Sequence, residues 1–328
     1  MNSYFSPVAR TAASEVGTVK ENNDSLRPRA LEAAPNPGSS STSAVARHSS
    51  GHAAVSTAFN PEIPLPPPYD YPPDLLVQSI PDAVLFHVHK KILLTTFNAD
   101  FARLIQQFTE ADEPIVFLNE PASVVNCLLH IVYDLSCRQY LPSLHTISQS
   151  LTTLTKYGGP LAKIVTPASN IFQHLLALAP SDPLGVYVIA AANQLEDLAV
   201  SVSPRALSVP LANIDESAAI AMGPSFLLRL VSLHTNRREA MKQLLLRPPN
   251  GHEDTPGCSP EQRDSLMRAY SLAVAYLAWE PIISADSSWI SSVLSPLLPH
   301  ITCRLCEYNM RSRIQAILIG WDELKCTI

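Results

Sequence analysis

Cys303 and Cys306 form a C-x-x-C pair. Thiols at that spacing do two kinds of chemistry, soft-metal ligation and thiol–disulfide exchange. Zinc wants four ligands. His252, Cys258 and His300 are the residues that could complete a set, the first two from the polar run Arg247–Ser259, RPPNGHEDTPGCS. Redox chemistry wants the pair where a strand runs into a helix, and no strand is expected there. The third reading is packing. Cys303, Cys306, Met310, Ile314, Ile317, Trp321 and Leu324 follow one another at steps of three and four, with Arg304, Glu307, Arg311 and Arg313 off that stripe. Buried cysteines behave as small hydrophobes. The stripe therefore assigns the pair to a helical core, and no metal ligand, cofactor or catalytic residue is assigned.

The other reactive types fall short of a constellation. His87 and His89 would share one face of a strand, but no cysteine or acid beside them completes a metal set. Glu196-Asp197 and Glu253-Asp254 are adjacent pairs and read as solvated surface. Phosphate-binding G-x-x-x-x-G-K, dinucleotide-binding G-x-G-x-x-G and the G-x-S-x-G nucleophile turn are all missing. Arg237-Arg238 with Lys242 is a small basic patch. With 23 Lys and Arg against 29 Asp and Glu, net charge −6, it is far from a nucleic-acid footprint.

The elements that must position these residues divide near residue 70. Residues 1–70 are rich in Ser, Ala, Asn and Pro, with SSSTS at 39–43. Such a stretch buries too little apolar surface to offset its ordering entropy, so a disordered arm is expected. Pro61–Pro73 favours polyproline II, either as a stiff spacer or as a ligand for an SH3-like or WW-like domain. From Asp74 the pattern changes. Asp74–Gln78 and Ala83–His89 read as two strands joined by a Pro-containing turn. Lys90–Gln107 switches to helical spacing, with Asn98 and Asp100 as internal caps that split it in two. Pro114–Leu118 is a third strand. Nearly everything after Ala122 reads as helix, broken at Gly158-Gly-Pro160, Thr166-Pro167, Pro204, Pro210 and Arg247–Ser259. The fold class expected is α+β: a small sheet with a helical cluster over 71–180, then a mainly α-helical region over 181–328.

The hairpin running into Phe86-His-Val-His89-Lys90, the helix pair, the short strand and the following helices resemble the BTB/POZ domain. The family's Asp opening the first strand corresponds to Asp74. Its Phe-x-Val-His-Lys-x-x-Leu run corresponds to Phe86, Val88, His89, Lys90 and Leu93, with Thr96 where the family has a serine before the second helix. Pro183-Leu-Gly-Val-Tyr187 leading to Leu195-Glu196, and the C-terminal Cys303-Arg-Leu-Cys306 before a long helix, resemble the fungal BTB proteins. The resemblance covers residues 74–328. It implies a non-enzymatic protein–protein interaction role, with Asp74, Phe86, His89, Lys90 and Leu93 as the binding residues and Asp74 beside a dimer interface. Phe86 and Val88 are expected to pack under the helices, and His89 to bond backbone groups freed at the strand–helix junction.

The partners expected are a second copy of the chain and another protein, with no nucleic acid and no membrane. A substrate-adaptor role for a cullin-based ubiquitin ligase and a zinc- or thiol-dependent role of the C-x-x-C pair are the alternatives. No stretch approaches the roughly 18 apolar residues that span a bilayer. The first residues lack the apolar core of a secretory signal. Six cysteines in 328 residues are no disulfide framework, so cytoplasm or nucleus is the expected setting.

Overall fold

The computed structural model describes residues 45–46, 54–62, 65–108, 115–279 and 283–328. The fold is α+β. Strands β1 (Val45–Ala46), β2 (Ala54–Ser56), β3 (Leu75–Ser79) and β4 (Val84–Val88) precede helices α1 (Lys90–Thr96) and α2 (Ala99–Phe108). Strand β5 (Ile115–Leu118) follows, and then helices α3 (Ala122–Val132), α4 (Leu144–Lys156), α5 (Leu161–Ile164), α6 (Asn170–Leu178), α7 (Pro183–Ala192) and α8 (Glu196–Ala206). The chain ends with α9 (Glu216–Leu246), α10 (Pro260–Trp279), α11 (Ser287–Leu294) and α12 (Arg304–Asp322).

The strands alternate as their sequences require. Leu75, Val77 and Ser79 of β3 are buried opposite Val88, Phe86 and Val84 of β4. The turn between them closes with Ala83 in the left-handed region (φ 52°). β5 lies on the far side of β3 and parallel to it, Val77 opposite Val116, so the α1–α2 pair is the crossover that carries the chain there. Asn98 Oδ1 accepts from Phe101 N at 3.1 Å, which caps α2 and separates it from α1. The sheet order is β1-β2-β4-β3-β5.

One core spans the sheet and α1 to α8, from Phe59 through Val125, Leu128, Leu151, Tyr187 and Val202 to Leu230. A second gathers Leu207, Leu233, Met241, Leu245, Tyr270, Leu277, Ile290, Ile317 and Trp321. The cores therefore change over between Leu207 and Leu233, not at residue 180. Helix α9 serves both. Gly223 (φ 71°) breaks it and Pro224 restarts it, because glycine reaches positive φ freely and proline suits a first turn.

Two expectations about α9 change. An 18-residue window in it has mean hydropathy 1.2, so by length and composition this helix is apolar enough to cross a membrane, and 28% of the window is buried in the fold. Arg237 is not part of a surface patch. It is buried, its guanidinium lies 4.2 Å from the Trp321 ring centroid, and it donates to the carbonyls of Ile283 (2.9 Å), Leu324 (3.1 Å) and Lys325 (3.3 Å).

Most of the expected disordered arm, residues 1–44 and 47–53, lies outside the described residues. The described part from Ala54 is folded. β2 pairs in parallel with β4, and Phe59 is 1% exposed, its ring 5.2 Å from His130 and 5.4 Å from Tyr133. The boundary expected at 70 thus falls after the chain has already entered the core. Phe59→Ala should lower the stability of the chain by about 3–5 kcal/mol in denaturant unfolding, the usual cost of emptying a buried aromatic site. A change near zero would contradict this packing.

Burial lowers the pKa of His87, His130, His174 and His234 below the ordinary 6.5, and Nε2 of His174 and of His234 is buried with no hydrogen-bond partner. Each stays neutral in the fold at a pH where the unfolded chain takes up its proton. Stability therefore falls as pH drops through about 6.5. The unfolding midpoint should decline from pH 7.5 toward about 5.5, and less so in the double variant His174→Gln/His234→Gln. An unchanged slope in that variant would contradict the assignment.

Candidate functional site

The five residues expected to bind a partner sit at the junction of β4 with α1, and three of them are core. Phe86 and Leu93 are buried under the helices. His89 is also buried, and its groups close a circuit. Its Nε2 donates to the Tyr71 carbonyl at 2.8 Å. That leaves Nδ1 as the acceptor for Tyr133 O–H at 3.1 Å, while the His89 amide donates back to Tyr133 Oη at 2.7 Å. His89 sits at the strand–helix junction, but its ring nitrogens bond the Tyr71 carbonyl and the Tyr133 hydroxyl rather than backbone groups freed where β4 meets α1, and His87 takes no part. Burial raises the Tyr133 pKa above its ordinary 10, which keeps it a donor.

Asp74 has a definite task. His89, the N-cap residue of α1, makes no side-chain cap, and Asp74 supplies it from just before β3: the Lys90 amide donates to Asp74 Oδ1 at 2.7 Å. The same device recurs twice. Asp82, in the hairpin turn, accepts from the Ala122 amide at the start of α3. Asp134 accepts from the Asn170 amide at the start of α6 at 2.8 Å. Free amides and the positive end of the helix dipole favour a carboxylate at each place. The hairpin thus caps one helix from its open end and another from its turn, and so fixes both against the sheet.

The second cluster lies in the helical half. Loop 247–259 folds back on the start of α12 and brings His252, Cys258, Cys303 and Cys306 together, their ligand atoms all within 4.8 Å of one another. His252 Nε2 is 3.1 Å from Cys306 Sγ and 3.5 Å from Cys303 Sγ, and Cys258 Sγ is 3.7 Å from Cys306 Sγ. His252 Nδ1 donates to the Glu253 carbonyl at 2.6 Å. The loop is fastened by the helices around it. Tyr270 Oη donates to the carbonyls of Leu245 and Arg247 at 3.0 and 2.9 Å, Arg313 Nε donates to Arg247 O at 2.7 Å, and Asn309 Nδ2 to Asn250 O at 2.9 Å. Arg263 of α10 donates to the His252 carbonyl at 3.1 Å and pairs with Asp254. The carbonyls of Leu245 and Arg247 at the end of α9 are thereby satisfied.

Of the five residues weighed from sequence, four converge. His300 is not among them, although it lines a cleft of about 340 Å³ that Cys258, Cys303 and Cys306 also line, with Leu266 and Leu297. The packing stripe holds from Cys306 to Trp321, all buried. Cys303 departs from it, because α12 begins at Arg304 and Cys303 is its extended N-cap (φ −84°, ψ 122°). The backbone amides of Cys306 and Leu305 stabilise its thiolate and lower its pKa to about 7, from an ordinary 9.0. Burial, with the thiols of Cys258 and Cys303 beside it, pushes Cys306 up to about 12. Chemically the cluster is a half-shielded set of three soft sulfur donors and one imidazole.

Asp74→Ala should destabilise the chain by about 1 kcal/mol in thermal or denaturant unfolding, and Asp74→Asn by only a fraction of that, since an amide oxygen also caps. Equal losses for the two variants, or none for either, would contradict the capping role. No family model, no curated protein and no solved structure matches the chain.

Proposed function

We propose that the chain is a non-enzymatic protein-interaction module that self-associates through its sheet half and holds a partner protein on its helical half, as the resemblance to BTB/POZ domains implies. The observation that carries this reading is a stripe on α10. Leu272, Tyr276 and Trp279 are 73%, 57% and 84% exposed and follow one another at four and three residues, which places them on one helix face. Large apolar and aromatic side chains grouped on a surface mark an interaction site, and Tyr and Trp are the types that dominate interface energetics. Ile220 and Leu228 of α9 are exposed as well.

Self-association is supported at the sheet. Among the described residues β5 pairs on one side, with β3, and Ile80 is exposed where β3 ends against Leu118 of β5. A row of strand amides and carbonyls flanked by apolar side chains is a template for another strand. The six cysteines are free, which suits a reducing cytoplasmic or nuclear setting.

Sedimentation velocity of the full chain at concentrations on the order of tens of micromolar should give a dimer. Ile80→Glu should shift it toward monomer. Leu272→Ser with Trp279→Ser should leave the dimer intact, because that face is reserved for the partner. A strict monomer in the unaltered chain would contradict self-association. Loss of the dimer in the α10 variant would move the self-interface to the helical half.

A further inference from the structure

We propose that His252, Cys258, Cys303 and Cys306 are the ligands of a structural zinc ion that staples loop 247–259 to the start of α12. The geometry is that of a ligand set. Zinc–sulfur bonds of about 2.3 Å and zinc–nitrogen bonds of about 2.0–2.1 Å in a tetrahedron place sulfurs about 3.8 Å apart and nitrogen about 3.5 Å from each sulfur. Cys258 to Cys306 at 3.7 Å and His252 Nε2 to Cys303 at 3.5 Å match this spacing, His252 Nε2 to Cys306 is shorter at 3.1 Å, and all four ligand atoms lie within 4.8 Å of one another.

The imidazole is prepared for that role. A carbonyl oxygen accepts and never donates, so the 2.6 Å contact to Glu253 O places the proton on Nδ1. The Nε2 lone pair then faces the sulfurs. An outer hydrogen bond that fixes the tautomer and aims the ring is the usual accompaniment of a metal-bound histidine. Cys258 is set by a tight turn, its amide donating to the Thr255 carbonyl at 3.0 Å across Pro256-Gly257. Two ligands thus come from the loop and two from the first turn of α12.

Competing uses of these side chains explain less. Core packing accounts for Cys258 and Cys306, which are buried, but not for the half-exposed Cys303 or for an imidazole nitrogen aimed at thiols. A disulfide uses two thiols and leaves the third thiol and His252 without a role. Three thiolates and an imidazole select zinc over hard cations such as magnesium or calcium. Four protein ligands close a tetrahedral ion, so the site is structural, with no position left for substrate. As the ion binds, each ligating thiol releases its proton to solvent, and nothing is oxidised or reduced.

The loop needs such a fastening. Of RPPNGHEDTPGCS only Pro249 and Cys258 are buried, so the loop contributes little to either core. Metal binding would couple directly to the folding of this segment, since the set does not exist in the unfolded chain. This claim is independent of whether the chain self-associates.

The test is metal content of the full chain, produced without a metal-binding tag and purified under reducing conditions. Mass spectrometry of the metal should return one zinc per chain. Chelator-treated protein titrated with cobalt(II) should develop the intense visible bands of tetrahedral thiolate coordination. Cys303→Ser and His252→Ala should lower retained zinc by at least about tenfold, whereas His300→Ala and Cys326→Ser should keep it. Since Cys303 is half-exposed and at a helix end, its variant is the one that keeps the fold; circular dichroism checks this. Unaltered protein that carries no zinc and gives no tetrahedral cobalt spectrum would overturn the proposal. So would full zinc content in both the Cys303→Ser and His252→Ala variants, which would mark the metal as bound elsewhere.

Discussion

Helix α9 buries Met222, Phe226 and Leu230 in the first core and Leu233, Met241 and Leu245 in the second, so one element fixes where everything after Leu246 must lie. The break at Gly223 sets Met222 apart; Phe226 and Leu230 of the first core and Leu233, Met241 and Leu245 of the second all lie on the segment after it. The segment before it follows the first core, and the segment after it, roughly 35 Å of helix, projects from there as a rod. Helices α10 and α12 pack on the far part of that rod, and α11 packs on both of them. The loop that leaves its end is short of apolar residues, and it crosses polar ground to reach the start of α12. The convergence of His252 and Cys258 on Cys303 and Cys306 follows from where α9 stops and where α12 starts.

The two halves use different means to set their geometry. In the sheet half, position is set by burial and by borrowed caps. Asp74 and Asp82, at opposite ends of one hairpin, accept from the first amides of α1 and α3, so the sheet and helices share a register that packing alone would leave looser. His89 closes the junction with two buried hydrogen bonds to Tyr133 and a third, part-buried, to the Tyr71 carbonyl. In the helical half the core is smaller, and long-range polar contacts carry more of the order: Arg237 to the end of α12, and Arg313, Tyr270 and Asn309 to the loop. A metal at the cysteine cluster belongs to the same pattern, a strong directional link where apolar area is scarce.

Much of this was legible in the residues. Strands β3 to β5 follow from alternation and β-branched content, the α1–α2 break from Asn98, and the later helices from spacing and proline punctuation. What escaped had weak local signals. β2 is three residues, AVS, and owes its existence to β4 beside it and to Phe59, a single aromatic in polar surroundings. A borrowed cap such as Asp82 has its partner 40 residues away, beyond any local pattern. The cysteines show the same limit from the other side. Their types and the candidate partners are readable, but one residue of helix boundary decides whether Cys303 joins the apolar stripe or turns toward the loop. Starting α12 at Arg304 decides it, and the choice between His252 and His300 depends on a loop path that no spacing rule supplies.

The account stands or falls most directly on the shell of atoms around the metal. X-ray absorption at the zinc edge of the purified full chain should show three sulfurs at about 2.3 Å and one nitrogen at about 2.0–2.1 Å. A shell made mainly of oxygen and nitrogen, or no zinc to measure, would contradict a fold in which the helical half is closed by His252, Cys258, Cys303 and Cys306.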